Sequence, residues 1–223
     1  MLSDWDLTPD HSRAERIGFD EAIFCAGKSV DQIHRILAGA IETGSSLLLT
    51  RLSADKLVGL PNPINAKLDY DSISQTAILG QTSRELTTPE QVAIVSAGTS
   101  DVGVAREAAR TLEYYGIDAR EIHDVGVAGL WRLLERVDEL SRMSVVITVA
   151  GMEGTLPTVV AGLVPGLVIA VPGSTGYGVG TDGIAALHGA LASCAPGLVV
   201  VNVDNGYGAG CAALRVLNAR SMG

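Results

Sequence analysis

Ile147–Leu163 reads ITVAGMEGTLPTVVAGL, Leu167–Ala195 reads LVIAVPGSTGYGVGTDGIAALHGALASCA, and Leu198–Gly210 reads LVVVNVDNGYGAG. Three β-branched apolar runs in or beside this stretch, Val145–Val149, Leu167–Val171 and Leu198–Val203, each end in a glycine-rich loop. An Ala/Leu-rich segment with helical spacing follows each loop. Apolar runs of strand length without polar alternation predict strands buried on both faces of a parallel sheet. Such sheets bind ligands at the carboxyl ends of their strands, which is where this chain places its glycines.

Working outward, the same strand–loop–helix module recurs upstream. Val92–Ser96 reads as a strand, Ala97–Asp101 as its loop, and Val102 to Tyr115 as a helix that Gly116 ends. Ile117–His123 is a less apolar strand, nearer an edge, and Val127–Leu140 reads as a helix. A last helix is expected over Ala209–Ala219. The fold class is therefore α/β, with a doubly wound, mainly parallel five-stranded sheet of flavodoxin or Rossmann type over residues 89–223. Thr87-Thr88-Pro89 reads as the linker into it. Residues 17–88 read as a small α+β domain. Ser29 caps a helix over Val30–Ile41, with Val30, Ile33, Ile36, Leu37 and Ile41 on one face and Gly44 as its stop. Leu47–Arg51 is a short strand, Leu60-Pro61-Asn62-Pro63 breaks the chain, and Tyr70–Leu79 is a second strand burying Ile73 and Ile78. Residues 1–16 form a polar, poorly ordered tail.

The chain has 223 residues, enough for one full domain and a smaller one with a sizeable core. Aromatic residues are only 4%, so Val, Leu, Ile and Ala must fill that core. A formal charge of −9 argues against nucleic acid or an anionic membrane as partner. It leaves room for an anionic small ligand, because helix N-termini and backbone N–H groups hold phosphate locally. No signal peptide is expected from MLSDWDLTPDHSRAER. Prolines and glycines interrupt every apolar run before the roughly 18 residues of a membrane span. Cys25, Cys194 and Cys211 stand apart without a CxxC, which disfavours a disulfide framework and a zinc site and suits a reducing cytoplasm.

Four loops can carry chemistry. In Gly98-Thr99-Ser100-Asp101, the N–H groups around Thr99 and Ser100 would face an anion at a helix start, or Ser100 or Asp101 would simply cap the helix. In Gly151-Met152-Glu153-Gly154, a carboxylate between glycines suits acid–base work, the alternative being a Glu favoured by the helix dipole. Pro172-Gly173-Ser174-Thr175-Gly176-Tyr177-Gly178-Val179-Gly180 either wraps a ligand with backbone or is a mobile loop. It is not GxGxxG after the first strand and has no Walker lysine. Asn202, Asp204 and Asn205 bind a ligand or build a turn. By position Cys194 reads as packing, since a helix C-terminus raises a thiol pKa. Cys211, inside the last helix, reads likewise.

Taken together, GTSD at Gly98–Asp101, AGMEGTLPTVVAGL at Ala150–Leu163, VPGSTGYG at Val171–Gly178 and VNVDNGYGAG at Val201–Gly210 resemble the LarB family of nickel-pincer nucleotide biosynthesis proteins. Ala26–Ile33 (AGKSVDQI), Leu47–Arg51 and His123–Leu130 (HDVGVAGL) fit as well. The last two-thirds also resembles aminoimidazole ribonucleotide carboxylase, PurE, through Ser100-Asp101 and the loop after the third strand. The imidazole enzyme's Ala-His-Arg is absent; His123-Asp124-Val125 stands near its place.

The LarB resemblance implies a carboxylation plus a hydrolysis. Nicotinic acid adenine dinucleotide would gain a second ring carboxylate from carbon dioxide or bicarbonate and lose AMP. Cys194 would be the nucleophile that adds to the pyridinium ring, Glu153 the base, and Ser100 with Asp101 would position ribose, phosphate or carboxyl. Gly98, Thr99, Asp124, Gly151, Met152 and Gly154 would line the substrate, as would Pro172, Ser174, Gly176, Tyr177 and Gly178. No tightly bound cofactor is implied; magnesium could assist the diphosphate, though no ligand cluster for it is visible. The PurE resemblance implies a homo-oligomer, an octamer, with sites near subunit contacts. The enzyme alternative is a carboxylase or mutase acting on aminoimidazole ribonucleotide, and the non-catalytic alternative is a nucleotide sensor.

Overall fold

The computed structural model describes residue 10 and residues 12–80 and 91–221. The chain divides into two compact units between residues 82 and 83. The expected linker at Thr87-Thr88-Pro89 and most of the expected tail lie outside the described residues.

In the first unit, Arg13–Ile17 forms helix α1, which ends at Gly18 in the left-handed region. Strand β1 (Ile23–Phe24), helix α2 (Val30–Thr43) and strand β2 (Leu47–Thr50) follow. Then come α3 (Ala54–Val58), α4 (Asn62–Asn65), β3 (Leu68–Asp71) and β4 (Thr76–Leu79). The sheet order is β1-β2-β4-β3, with β1 parallel to β2 and the other pairs antiparallel. A reciprocal capping box between Ser29 and Gln32 starts α2, and Gly44 ends it. Helix α2 sets Ile33, Leu37 and Ala40 against Leu49, Ala77 and Leu79. Each of the larger side chains contributes about 1.5–3 kcal/mol by burial.

The single strand expected over Tyr70–Leu79 is instead the hairpin β3–β4. The Asp71 carboxylate accepts the N–H groups of Ile73 and Ser74, and Gln75 takes φ +53°, so the chain reverses there. Ile73 is therefore 60% exposed at the turn, while Ile78 is buried as expected. An Asx turn inside an apolar-looking run escapes a reading by periodicity.

The second unit runs β5 (Val92–Ser96), α5 (Val102–Tyr114), β6 (Arg120–Ile122), α6 (Leu130–Leu134) and α7 (Val137–Leu140). It continues β7 (Val145–Ala150), α8 (Thr155–Ala161), β8 (Leu167–Pro172), α9 (Ile184–Leu191), β9 (Val199–Val200) and α10 (Gly206–Ser221). All its strand pairs are parallel, in the order β6-β5-β7-β8-β9. This is the doubly wound α/β sheet of flavodoxin order. Helices α5 and α10 cover one face; α6, α7 and α8 cover the other, where Leu133, Leu140, Leu156 and Val160 meet Val95, Val146 and Val168. Strands β5 and β7 are buried along their whole length. Among the described residues no helix is long and apolar enough to cross a membrane.

Three expected boundaries move. The helix over Val127–Leu140 is a 3-10 turn, Val127–Gly129, followed by α6 and α7, each setting one leucine, Leu133 and Leu140, into the core. The outer strands pair only over Arg120–Ile122 and Val199–Val200, since each has a neighbour on one side alone. Helix α10 begins earlier than expected, at Gly206. Glycine weakens a helix, but α10 lies on α5 so closely that a Cβ on Gly206 would stand 2.3 Å from the Val104 carbonyl oxygen.

We expect Gly206→Ala to destabilise the second unit by about 1–3 kcal/mol in urea unfolding. Gly27→Ala, whose Cβ would meet nothing within 4 Å, should stay within about 0.5 kcal/mol of the parent.

Candidate active site

The strand order reverses between β5 and β7: the chain leaves β5 toward β6, then crosses back to β7. Open parallel sheets bind ligands at that crevice. Here it holds a cleft of about 290 Å³, lined by the exits of β5, β7 and β8 and by the segment entering α6. That volume stands at the low end of small-molecule sites.

The β5 exit supplies Gly98, Ser100 and Asp101. Asp101 does not cap α5. Its Oδ2 reaches back to accept the Gly98 N–H at 2.9 Å, and the carboxyl also accepts from Gly151 N–H. The side chain is 6% exposed. Burial pushes its pKa above the ordinary carboxylate value, the two N–H groups pull the other way, and the charge of Asp204 adds to the rise. Ser100 is exposed at the rim; Thr99 is exposed and does not line the cleft.

The β7 exit supplies Gly151, Met152 and Glu153. Met152 takes φ +55° and gives its N–H to the Thr175 carbonyl at 2.8 Å. A Cβ on Gly151 would stand 2.2 Å from that same carbonyl oxygen, so only glycine fits. Gly154, at φ +64°, starts α8, and a Cβ there would meet Ala186 of α9 at 2.8 Å or less. The turn is thus fixed from both sides, and Glu153 projects from it, exposed, into the cleft.

From β8, Pro172 is buried and Thr175 reaches the cleft. Ser174 gives its N–H to Asp204 Oδ1 at 2.8 Å. Gly176, Tyr177 and Gly178 lie farther along the loop and do not line the cleft; Tyr177 is 78% exposed. Asp124, at φ +59°, pairs with Arg132 at 2.5 Å. Arg132 lines the cleft and brings a cation into a site of an acidic chain. The sequence hides it as one polar position on an expected helix. His123 turns from the cleft: its Nδ1 lies 3.0 Å from the buried Ser96 hydroxyl and its Nε2 3.4 Å from Glu121, which Arg106 pairs.

Cys194 is not brought to this cleft within one chain. It lies exposed on the connection entering β9, whereas the cleft is built from strand exits. Cys25 is sealed in the first unit, where burial pushes its thiol up to about 11. Among the described residues no three His, Cys, Asp or Glu side chains converge as a metal set.

A family model described as AIR carboxylase matches residues 91–222, and one described as the LarB/PurE-like N-terminal domain matches residues 6–81. The chain belongs to the AIR carboxylase family, in its two-domain, LarB-like form. It is 38% identical over 210 residues to the uncharacterized protein MJ0165 of Methanocaldococcus jannaschii, covering 92% of this chain and 81% of that protein. It is 34% identical over 131 residues to the N5-carboxyaminoimidazole ribonucleotide mutase of the same organism, covering 56% of this chain and 78% of that one. A crystal structure of a Treponema denticola PurE2 variant matches at 20% identity and a TM-score of 0.44, over 60% of this chain and 94% of that chain.

Because the folded state holds the Asp101 proton more tightly than the unfolded chain does, its stabilising contribution is full at acid pH. It is lost as pH rises through the raised folded pKa. Asp101→Asn, which keeps an acceptor for the Gly98 N–H, should therefore gain thermal stability relative to the parent between about pH 4 and pH 7. Melting curves at both pH values check this.

Proposed function

We propose that the protein adds carbon dioxide to the pyridinium ring of nicotinic acid adenine dinucleotide and hydrolyses its phosphoanhydride with one water molecule, releasing AMP. The observation that carries this reading is the company Glu153 keeps: a base on a rigid turn faces Ser100, the buried Asp101 and the Arg132 cation in one cleft. The LarB-like first unit, and the use of His123 to hold Ser96 rather than face the cleft, favour it over the imidazole reaction.

A pyridinium ring is electron-poor and does not attack carbon dioxide. A thiolate that adds to the ring carbon opposite the nitrogen makes a dihydropyridine, whose enamine carbon is nucleophilic. That carbon forms the new C–C bond with carbon dioxide. Glu153 then takes the ring proton, the C–H electron pair returns to the ring, the carbon–sulfur bond breaks, and aromaticity is restored. Arg132 suits the existing ring carboxylate or a phosphate oxygen. Asp101 lies buried beside the same atoms, and that burial favours its neutral acid.

The sulfur is that of Cys194, and it must come from a second copy of the chain, since its own cleft does not contain it. The site is then complete only in a homo-oligomer. The positive ring favours the thiolate. Carbon dioxide is taken directly, without a carrier group.

Intact mass spectrometry of the protein mixed with the dinucleotide should show a covalent adduct that Cys194→Ala lacks. Carboxylation followed with labelled bicarbonate should fall about a thousandfold or more in that variant. Label in aminoimidazole ribonucleotide instead would assign the purine reaction, and label in neither product would remove both.

A further inference from the structure

Beyond β9 stands a carboxylate that the steps above leave unused. Asp204 takes φ +54°, a left-handed conformation that side chains rarely adopt. That twist turns it back on the β8 exit. Its N–H donates to the Pro172 carbonyl at 2.8 Å, and its Oδ1 accepts the Ser174 N–H at 2.8 Å. The segment clamped in this way lies against Asp101. A Cβ on Gly173 would stand 3.1 Å from Asp101 Oδ1 and 3.0 Å from the Gly151 nitrogen. Next along, the Thr175 carbonyl accepts the Met152 N–H of the turn that carries Glu153. One loop, held by Asp204, thus covers Asp101 and braces the turn opposite.

We propose that Asp204 is a positioning residue: its carboxylate holds the β8 exit against Asp101 and places a second negative charge on the segment that covers that carboxyl. The role rests on reading this cleft as the site of the reaction proposed above. Burial alone favours the neutral acid, and a second carboxylate nearby works in the same direction. The other charged groups lining the cleft are Glu153, on the β7 exit, and Arg132, on α6, whose guanidinium is engaged by Asp124. Asp204 is the charge that acts on Asp101 from the β9 side.

Asp204→Asn keeps an oxygen for the Ser174 N–H and removes the charge; Asp204→Ser is a second chargeless variant should the first not fold. Carbon-13 NMR of the carboxyl groups in the free protein follows the Asp101 titration without turnover, with Asp101→Asn for assignment. The expected result is a fall in the Asp101 midpoint on the order of half a pH unit or more. An unchanged midpoint overturns the proposal even in a protein that carboxylates the dinucleotide. A lowered midpoint in a protein that does not carboxylate it keeps the role of Asp204 and removes the reaction instead.

Discussion

A carboxyl group enclosed by bare backbone is the constraint on which the second unit turns. Asp101 is buried where β5 and β7 part, with N–H donors from Gly98 and Gly151 and the Gly173 backbone against it. No side chain fits at Gly151 or Gly173 without displacing backbone or the carboxyl itself. Isolated charge is costly to bury, so the group keeps its proton more readily than a solvated carboxyl. That is a useful property beside an exposed Glu153, because two carboxyls in unlike surroundings can divide acid and base work.

The sheet makes the enclosure possible. Strands β5 and β7 are buried from end to end and β8 from Val168 onward, and their apolar side chains lock the strand register. The exits therefore emerge at fixed positions, and the loops inherit that rigidity through short contacts. Gly154 against Ala186 and Met152 against Thr175 leave the Glu153 turn no alternative path. The glycine-packed seam of α5 and α10 closes the opposite face. The first unit has its own core around α2.

Much of this was legible in the sequence. Unbroken apolar runs announced the parallel strands, and the glycines after them marked the exits. What stayed hidden has physical causes. An Asx turn at Asp71 looks apolar from its neighbours Ile73 and Ile78, so a hairpin reads as one strand. Gly206 looks like a helix breaker until a second helix lies on it. Asp101 could cap or catalyse, because both roles use the same residue type; only its back-turned carboxylate separates them. Arg132 carries no local signature at all. Cys194 is implied by the same resemblance as Glu153 yet lies on a strand entry, and no linear pattern says which copy's cleft a side chain serves.

The proposed chemistry joins these parts: a ring held at the β5–β7 crevice, a base on the glycine-flanked turn, a proton kept by Asp101, and a sulfur delivered by another copy. A crystal structure of the assembled protein with the dinucleotide tests that arrangement most directly. The expected result is a pyridinium ring between the Asp101 and Glu153 exits, with a Cys194 sulfur from a second copy at bonding distance. A ring bound elsewhere, or a crevice that no copy's Cys194 can reach, would contradict it.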